Sequence, residues 1–466
     1  MRRIHLIGVC GTAMGTLAAL LRHKGHDVRG SDQNVYPPMS DFLAAEGIRA
    51  MNGYREEHIT ADLDLVIVGN AISRGNPELE TVLERKIRYC SLPEAVREQF
   101  LWGARSIVVA GTHGKTTTTS LVGWLLTHGR LDPTVFVGGI ALNFGEGGSS
   151  YRLGAGRDFV IEGDEYDSAF FDKTAKFLKY VPDVAVVGNI EFDHADIYDD
   201  LDAVRLAFRR LANLVPRNGL LLAGADSPDA LALRQKAVSP VQTFGLSEDA
   251  DWRADELQTM DGVTHFKVRR HGEPYGRFQS PLAGAHNVRN TLAAIAVGAH
   301  RGLDAGMLAE GLRQFRGIRR RLETVGVARG VTILDDFAHH PTAVRETLSA
   351  LREGHPGRRI WAVFEPRSAS SCRKVFQDDF ARSFGAADEV VVAAVFRSTL
   401  PDDERLSAEQ LVSDLRASGQ RARYIPDVGG IVQTIVGEHR SGDLVVLMSN
   451  GGFGGIHRKL VEALSA

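Results

Sequence analysis

The chain has 466 residues, of which 44% are hydrophobic and 24% charged, and its formal net charge is -3 with histidine neutral. These values are typical of soluble globular proteins and exclude the basic surface of a nucleic-acid-binding protein. Its three cysteines match neither a disulfide framework nor a zinc motif, and no apolar run reaches the roughly 18–20 residues that cross a bilayer. We therefore expect a cytoplasmic protein without nucleic-acid or membrane partners.

Short β-branched runs alternate with helical patterns along most of the chain, which predicts βαβ units and parallel sheets. The runs are IHLIGV, LDLVIVG, SIVVAG, DFVIEG, VAVVGN, IWAVF, EVVVAAV and LVVLMS. At about 150 residues per domain, the length predicts three α/β domains. We expect a Rossmann-like domain at 1–104, a P-loop ATPase-type domain at 105–318 and a second Rossmann-like domain at 319–466.

The first strand leads into a glycine-rich turn, GVCGTAMG. A helical pattern, the strand HDVRG and the pair Ser31-Asp32 follow, as at the start of a dinucleotide-binding fold. The G-x-x-G-x-x-x-G spacing departs from the NAD fingerprint. The turn therefore predicts a phosphate-bearing ligand, and a plain tight turn between strand and helix is the alternative.

The segment GTHGKTTTT lies between the strand SIVVA and a helical pattern that stops at Gly129. A glycine loop at a helix N-terminus presents backbone N–H groups and a partial positive charge to an anion. Lys115 can reach the outer phosphates of a nucleotide, and the Thr116 hydroxyl can hold Mg²⁺. The usual first glycine of such a loop is replaced by Val109, so the loop is shorter than the standard one.

Acidic side chains follow two of the predicted strands, in IEGDEYD and NIEFDHADIYDD. Ligands bind at strand carboxyl ends in parallel sheets, and hard cations prefer carboxylate oxygens. Glu162 and His194 are the candidate metal ligands. Helix capping is the alternative for any single acid in these segments.

Three polar clusters occur in the second half of the chain. Asn287 and Asn290 are three residues apart, so on a helix they share a face and either contact a nucleotide or cap the helix. The segment RGIRRRL suits phosphate binding or forms a solvated basic turn. In DDFAHHP, two aspartates and two histidines (Asp335, Asp336, His339 and His340) either bind zinc or form a polar loop after a strand.

Together these motifs resemble the Mur ligase family, whose members build peptidoglycan precursors. The segments GTHGKTTTT, IEGDEYD, NIEFDHAD, HNVRN, RRRLE and DDFAHHP carry the resemblance in that order, over essentially the whole chain. It implies an ATP- and Mg²⁺-dependent ligase that activates the carboxylate of UDP-N-acetylmuramate as an acyl phosphate and couples it to a peptide amine. The segments GSDQNVYPPMS, FEPRS and MSNGGFGGIHRKL favour the branch that adds L-alanyl-γ-D-glutamyl-meso-diaminopimelate during peptidoglycan recycling.

The resemblance also implies roles for individual residues. The expected nucleotide site comprises Gly111, Thr112, Gly114, Lys115, Thr116, Thr117, Asn287, Asn290, Arg321 and Asp336. The expected substrate site comprises Gly11, Ser31, Asp32, Ser73, His113, Arg367, Ser368 and Asn450, with Arg367 pairing with a peptide carboxylate. Mg²⁺ is expected on Thr116, Glu162 and His194, and catalysis is assigned to Lys115, His194, Arg321 and Asp336. We expect a monomer or a weak homodimer.

Three other functions are compatible with parts of the sequence. Within the same family, the alternative is a ligase that adds L-alanine to UDP-N-acetylmuramate in the synthesis of new peptidoglycan. An NAD-dependent oxidoreductase would use the first glycine-rich turn but would leave Lys115 and the acidic clusters without a role. A nucleotide-regulated binding module would bind ATP without releasing ADP.

Overall fold

A computed structural model describes residues 1–260, 262–396 and 400–465. It contains three large β-sheets with helices packed against them, which we call the first, middle and third sheets in chain order. The parts of the chain that form them are the first, middle and third segments. Each of the eight apolar runs recognised in the sequence forms a strand. The predicted three-part α/β fold is therefore confirmed, whereas the exact boundaries after residues 104 and 318 stay predictions.

The first sheet is fully parallel, with the strand order β3-β2-β1-β4-β5. Its strands are β1 (Arg3–Ile7), β2 (Asp27–Asp32), β3 (Arg49–Asn52), β4 (Leu65–Val68) and β5 (Tyr89–Ser91), and its helices are α1 (Thr12–His23), α2 (Met39–Ala45), α3 (Pro77–Glu84) and α4 (Leu92–Val96). Helix α1 starts directly after the glycine-rich turn, as predicted. The side chain of Asn76 caps α3 by accepting hydrogen bonds from two backbone N–H groups.

The middle sheet has ten strands in the order β17-β16-β15-β14-β13-β12-β6-β9-β7-β8. The strands are β6 (Arg105–Ala110), β7 (Thr134–Ala141), β8 (Ser149–Arg152), β9 (Asp158–Gly163), β12 (Val184–Val187), β13 (Leu220–Gly224), β14 (Val241–Gly245), β15 (Trp252–Met260), β16 (Val263–Arg270) and β17 (Glu273–Ser280); β10 (Asp167–Ala169) and β11 (Asp172–Ala175) form a separate hairpin. The helices are α5 (Lys115–His128), α6 (Leu201–Leu214), α7 (Pro228–Ala232), α8 (Ala285–His300) and α9 (Ala305–Arg313). The central strands are parallel and buried, and antiparallel strands extend both edges.

The third sheet has the order β18-β19-β23-β20-β21-β22, and only β18 runs antiparallel to its neighbour. Its strands are β18 (Glu323–Ala328), β19 (Val331–Asp336), β20 (Ile360–Phe364), β21 (Glu389–Val392), β22 (Arg421–Tyr424) and β23 (Leu444–Met448). Its helices are α10 (Pro341–Gly354), α11 (Gln377–Ala381), α12 (Ala408–Ala417), α13 (Val428–Glu438) and α14 (Ile456–Ser465). The strands β20 and β23 are entirely buried because helices cover both faces of the sheet.

The first and middle sheets share one apolar core, whereas the third sheet packs around cores of its own. The shared cluster includes Leu6 and Leu17 from the first segment together with Val108 and Phe159 from the middle segment. The third sheet's larger core receives only partly buried side chains, such as Phe192, from the middle segment. The third sheet therefore shares no continuous apolar core with the remainder, although Phe192 stacks on its Phe376.

None of the helices within residues 1–260, 262–396 and 400–465 has both the length and the apolar character needed to span a membrane.

Candidate active site

A single large cavity, of about 1820 Å³, lies where strands of all three sheets end. Residues following β1 and β4, β6, β9 and β12, and β19 and β23 all line it. A pocket for one small ligand usually measures about 300–1,000 Å³, so this cavity has room for several reactants. Most of the predicted site residues line it: Gly11, Asp32, Thr112, His113, Gly114, Lys115, Thr116, Thr117, Glu162, His194, Asn287, Asn290, Arg321, Asp336, Ser368 and Asn450.

The loop between β6 and α5 has the predicted form of a phosphate-binding loop. Gly114 immediately precedes the helix with a left-handed φ of 80°. A Cβ at this position would lie 2.3 Å from Oδ1 of Asn290, so both the backbone and the neighbouring amide require glycine. The first backbone N–H groups of α5 therefore face the cavity at a helix N-terminus, where an anion is favoured.

Lys115 points its ammonium group back over this loop. Its Nζ donates hydrogen bonds to the carbonyl oxygens of Gly111 and Thr112 at 2.8 and 3.1 Å, and to both carboxylate oxygens of Glu165 at 2.9 and 3.0 Å. Burial opposes the charge, but Glu165 and Asp164 outweigh it and raise the pKa of Lys115. The residue is therefore a permanent cation beside the position of the outer phosphates. Gly111 itself does not line the cavity, but its carbonyl oxygen accepts a hydrogen bond from Lys115.

Thr116 and Glu162 meet beside the loop, as the sequence predicted. The Thr116 hydroxyl donates to Oε1 of Glu162 at 3.1 Å, and the backbone N–H of Gly138 donates to Oε2 at 2.8 Å. A Cβ on Gly138 would approach the Glu162 carboxylate to 2.9 Å, so glycine is needed opposite this acid. Hydroxyl and carboxylate oxygens are the ligands that Mg²⁺ prefers, and this donor set fits the ion.

His194 lies beside Glu165, an acid that is not among the predicted metal ligands. Its Nε2 lies 3.2 Å from Oε1 of Glu165, and Asp164, Glu165 and His194 form a group that can hold a metal ion. Burial alone would lower the pKa of His194, but the hydrogen bond to Glu165 and the charges of Glu165 and Asp193 raise it to about 9. Sequence reasoning did not select Glu165, although it had noted that acid after β9.

His113 lies at the tip of the phosphate loop, where Asn189 holds the backbone on both sides. The N–H of His113 donates to Oδ1 of Asn189 at 2.8 Å, and the Asn189 amide donates to the carbonyl oxygen of His113 at 3.2 Å. The imidazole Nε2 lies 3.2 Å from Oε2 of Glu191. These contacts aim the ring at the third sheet, which supplies His340 at a ring separation of 4.6 Å.

Asn287 and Asn290 share a face at the start of α8, as their spacing predicted. The Asn290 amide donates to Oδ1 of Asn287 at 3.2 Å and accepts from the Thr118 hydroxyl at the same distance. The Asn287 amide donates to the carbonyl oxygen of Ala283 at 2.8 Å. Asn290 therefore connects α8 to α5 directly, and Asn287 supports it. The contact of the two amides with a nucleotide stays a prediction.

The third sheet contributes Arg321 and Asp336 to the cavity. The guanidinium of Arg321 lies over the Phe337 ring, 5.2 Å from its centroid. The Asp336 carboxylate accepts backbone hydrogen bonds from Leu322 and Ala338, both at 2.8 Å, and its burial raises its pKa. Asp336 thus fixes the arginine-rich turn, in addition to any contact it makes with ribose.

Residues of the first segment divide between the cavity and the interior. Asp32 accepts a hydrogen bond from the backbone N–H of Cys10 at 2.8 Å and so supports the glycine-rich turn next to Gly11. Ser31 is fully buried, and its hydroxyl donates to Glu78 at 2.5 Å. Ser73 is exposed. Neither Ser31 nor Ser73 lines the cavity, so a direct role of these two side chains in binding substrate is not supported by their positions.

Two of the three predicted peptide-binding residues line the cavity, and the third does not. Ser368 and Asn450 line the cavity, and no donor in the described part of the chain reaches Oδ1 of the buried Asn450 amide. Arg367 does not line it. The Arg367 guanidinium lies over the Phe396 ring, 3.6 Å from its centroid. One of its nitrogens is 3.7 Å from Oε1 of Glu365. Its pairing with a peptide carboxylate stays a prediction.

Family models match most of the chain in three consecutive parts. Residues 3–100 match the Mur ligase family catalytic domain, 109–298 the Mur ligase middle domain and 320–451 the Mur ligase glutamate ligase domain. The chain belongs to the Mur ligase family. The family resemblance predicted from the motifs is confirmed, and with it the prediction of an ATP-dependent ligase that forms a C–N bond.

Relatives within the Mur ligase family include enzymes with both candidate acceptors. The UDP-N-acetylmuramate–L-alanyl-γ-D-glutamyl-meso-2,6-diaminoheptandioate ligase of Escherichia coli K12 is 42% identical, covering 99% of this chain and 98% of its own length. The UDP-N-acetylmuramate–L-alanine ligase of Salinibacter ruber is 36% identical, covering 100% of this chain and 95% of its own length.

Two solved structures of Mur ligases rank differently by shape and by sequence. The murein peptide ligase of Psychrobacter arcticus is 34% identical with a TM-score of 0.75, over 100% of this chain and 99% of that one. The UDP-N-acetylmuramate-alanine ligase of Thermotoga maritima is 25% identical with a TM-score of 0.82, over 99% of both chains.

Proposed function

We propose that the protein joins UDP-N-acetylmuramate to the amine of L-alanyl-γ-D-glutamyl-meso-diaminopimelate, converting ATP to ADP and phosphate. This reaction would return a tripeptide released from peptidoglycan to the precursor pool. The observation that carries the proposal is the single cavity, in which the phosphate loop, an acidic metal-binding edge and the third sheet meet. The 42% identity to a ligase of this specificity, over nearly the full chain, supports the tripeptide over L-alanine.

The first chemical step makes the lactyl carboxylate reactive. A carboxylate is a poor acyl donor because its leaving group would be oxide. Transfer of the γ-phosphoryl group to the carboxylate makes phosphate the leaving group. Lys115 and Arg321 supply positive charge on two sides of the cavity and reduce the repulsion between the two anionic reactants.

Mg²⁺, when bound, would further neutralise charge on the transferring phosphoryl group. Thr116 and Glu162 would hold the ion on one side of the loop. Glu165, Asp164 and His194 form the second acidic group, which Lys115 contacts directly. We include Glu165 with the residues predicted from sequence, because it contacts both Lys115 and His194.

In the second step the amine of the peptide attacks the acyl carbon, and the tetrahedral intermediate collapses to amide and phosphate. Water would hydrolyse the acyl phosphate, so the third sheet must cover the cavity during the reaction. Ser368 and Asn450 lie on that sheet's side of the cavity, where the hydroxyl and the amide would bind the peptide.

A coupled ADP-release assay with UDP-N-acetylmuramate tests the acceptor. We expect kcat/KM for the tripeptide to exceed that for L-alanine by at least about 100-fold, which corresponds to roughly 3 kcal/mol of discrimination. Product mass must show the new amide. A preference for L-alanine would identify the enzyme of new synthesis instead, and ADP release without amide would reject ligation. The cytoplasmic location and the monomeric or weakly dimeric state stay predictions.

A further inference from the structure

Three side chains of types that can bind a metal ion meet at the seam between the middle and third sheets, and neither Thr116 nor Glu162 belongs to this group. His113 belongs to the phosphate loop, Glu191 follows β12, and His340 precedes α10. One ligand atom of each lies within 4.8 Å of the others. Oε2 of Glu191 is 3.2 Å from Nε2 of His113 and 3.9 Å from Nδ1 of His340. Ligands of a tetrahedral zinc ion lie about 3.4 Å apart, given bonds of about 2.0–2.1 Å.

His340 has the orientation of a metal ligand. Its Nε2 lies 3.2 Å from the carbonyl oxygen of Phe192, so this nitrogen carries the hydrogen and the lone pair is on Nδ1. That lone pair accepts a capping hydrogen bond from the backbone N–H of Thr342 at 3.3 Å, which a bound ion would replace. Donation of the second ring N–H to a backbone carbonyl is the usual support of a metal-bound histidine. Burial lowers the pKa of His340 to about 4, which keeps the ring neutral and able to coordinate near neutral pH.

Glu191 supplies the negative charge of the group. Burial opposes its ionisation, but hydrogen bonds from His113 and Thr342 lower the pKa of Glu191 to about 2. The Thr342 hydroxyl donates to Oε2 at 2.6 Å and fixes the carboxylate from the third sheet. The group therefore combines one anion with two imidazoles.

The composition of this group favours a different ion from Mg²⁺. Imidazole nitrogen suits Zn²⁺, Co²⁺ and related ions, whereas Mg²⁺ selects oxygen ligands. All three residues line the cavity, so a fourth coordination position would be open to water or a reactant. Without a metal, the same atoms form a hydrogen bond from His113 to Glu191 beside a capping histidine.

We propose that His113, Glu191 and His340 bind a divalent transition ion of the Zn²⁺ type, which fastens the start of α10 to the phosphate loop. Two of the ligands come from the middle segment and one from the third. The ion would therefore join the two parts of the chain that close on the nucleotide.

Titration of the chelator-treated full-length protein with Co²⁺, in excess Mg²⁺ and without nucleotide, tests the site. The excess Mg²⁺ is included to fill the sites whose ligands are oxygen atoms, such as Thr116 and Glu162. Co²⁺ bound by four ligands is then detected by its strong absorption of visible light. We expect one such ion per chain, and Zn²⁺ should displace it. His340→Ala and Glu191→Gln should each weaken binding by more than about 10-fold. The second variant keeps the size of the side chain, in case the first does not fold.

Two matched variants locate the ion. His339→Ala removes the neighbouring imidazole, and His194→Ala removes the histidine of the other metal-binding group; both should keep the absorption. Absence of visible absorption from the wild-type protein would overturn the proposal. So would absorption that His194→Ala abolishes while His340→Ala retains it, because the ion would then lie beside Glu165.

Discussion

The backbone N–H of His194 donates a hydrogen bond to the hydroxyl of Ser370 at 3.0 Å, and that hydroxyl donates in turn to the Asp193 carboxylate. Ser370 belongs to the third segment, whereas the two other residues follow β12 of the middle sheet. His194 has a left-handed φ of 54°, which a residue with a side chain rarely adopts. A residue of the third segment therefore helps to hold the turn that presents His194 to Glu165.

We expect Ser370→Ala to lower kcat by about 10-fold or more. The variant removes two hydrogen bonds at the seam, one of them to a carboxylate, and loss of about 1.4 kcal/mol in the transition state corresponds to a factor of ten. ADP release at saturating substrates measures the effect. Ser418→Ala, which removes an exposed hydroxyl at the end of α12 in the same third segment, should leave kcat unchanged. Equal kcat values for the two variants would contradict a link between Ser370 and His194.

We expect Lys115→Ala to reduce kcat by at least about 100-fold, because the cation beside the outer phosphates is lost. The comparison is Lys173→Ala, which removes a lysine whose side chain is 69% exposed and paired with Asp167. That variant should retain normal turnover. If Lys115→Ala still formed ADP and amide at near wild-type rates, the assignment of the phosphate loop would be wrong.

We expect Gly114→Ala to lower the free energy of unfolding by at least about 1–2 kcal/mol, the cost of a left-handed backbone with a side chain. The new methyl group would also displace Asn290, so the KM for ATP should rise. Denaturant unfolding and steady-state kinetics measure the two effects. Gly437→Ala in α13, where a Cβ meets open space, should be neutral or slightly stabilising. An unchanged ATP KM in Gly114→Ala would argue against contact between Asn290 and the loop.

The buried pair His5 and Glu78 should make stability depend on pH. Burial lowers the pKa of His5, although its Nε2 lies 3.0 Å from Oε2 of Glu78. A histidine whose pKa is lower in the folded than in the unfolded state stabilises the protein above the unfolded value of about 6.5, and this stability is lost as pH falls below it. We therefore expect unfolding temperatures to fall between about pH 7.5 and about pH 5.5.

His5→Gln should reduce that pH dependence, because the buried titrating ring is removed. His23→Gln, at a side chain that is 46% exposed, should leave it as in the wild-type protein. Identical slopes for wild type and His5→Gln would show that other groups cause the loss of stability.

Local patterns predicted those parts of the site that lie within one strand, loop and helix. The phosphate loop and the start of α5 follow from the local pattern because β6 and α5 flank the loop, and the shared face of Asn287 and Asn290 follows from their spacing on α8. The eight buried strands were equally recognisable, since helices on both faces of a parallel sheet select long apolar runs.

Contacts between distant segments were not predictable in this way. Glu165 follows the end of β9, where strand alternation no longer indicates which way a side chain points, so no local pattern distinguishes it from the neighbouring acids. Ser31 was expected at the substrate, but its partner Glu78 lies 47 residues away on α3, and their pairing was invisible in the sequence. The seam formed by Thr342, Ser370 and Glu191 depends on the same kind of long-range placement.

The first and middle sheets share an apolar core that the third sheet does not join, and this difference suggests which segment could be exchanged to change the acceptor specificity. Leu17 and Phe159 share a continuous apolar core, so exchanging the first or middle segment would leave unmatched hydrophobic surfaces. The third sheet keeps its own core, and the hydrogen bonds from Thr342 to Glu191 and from His194 to Ser370 are among its contacts with the middle segment. A chimaera that receives residues 319–466 from an L-alanine-specific relative should therefore fold and carry a new acceptor preference, provided that the donor segment supplies the counterparts of Arg321 and Asp336 to the nucleotide site.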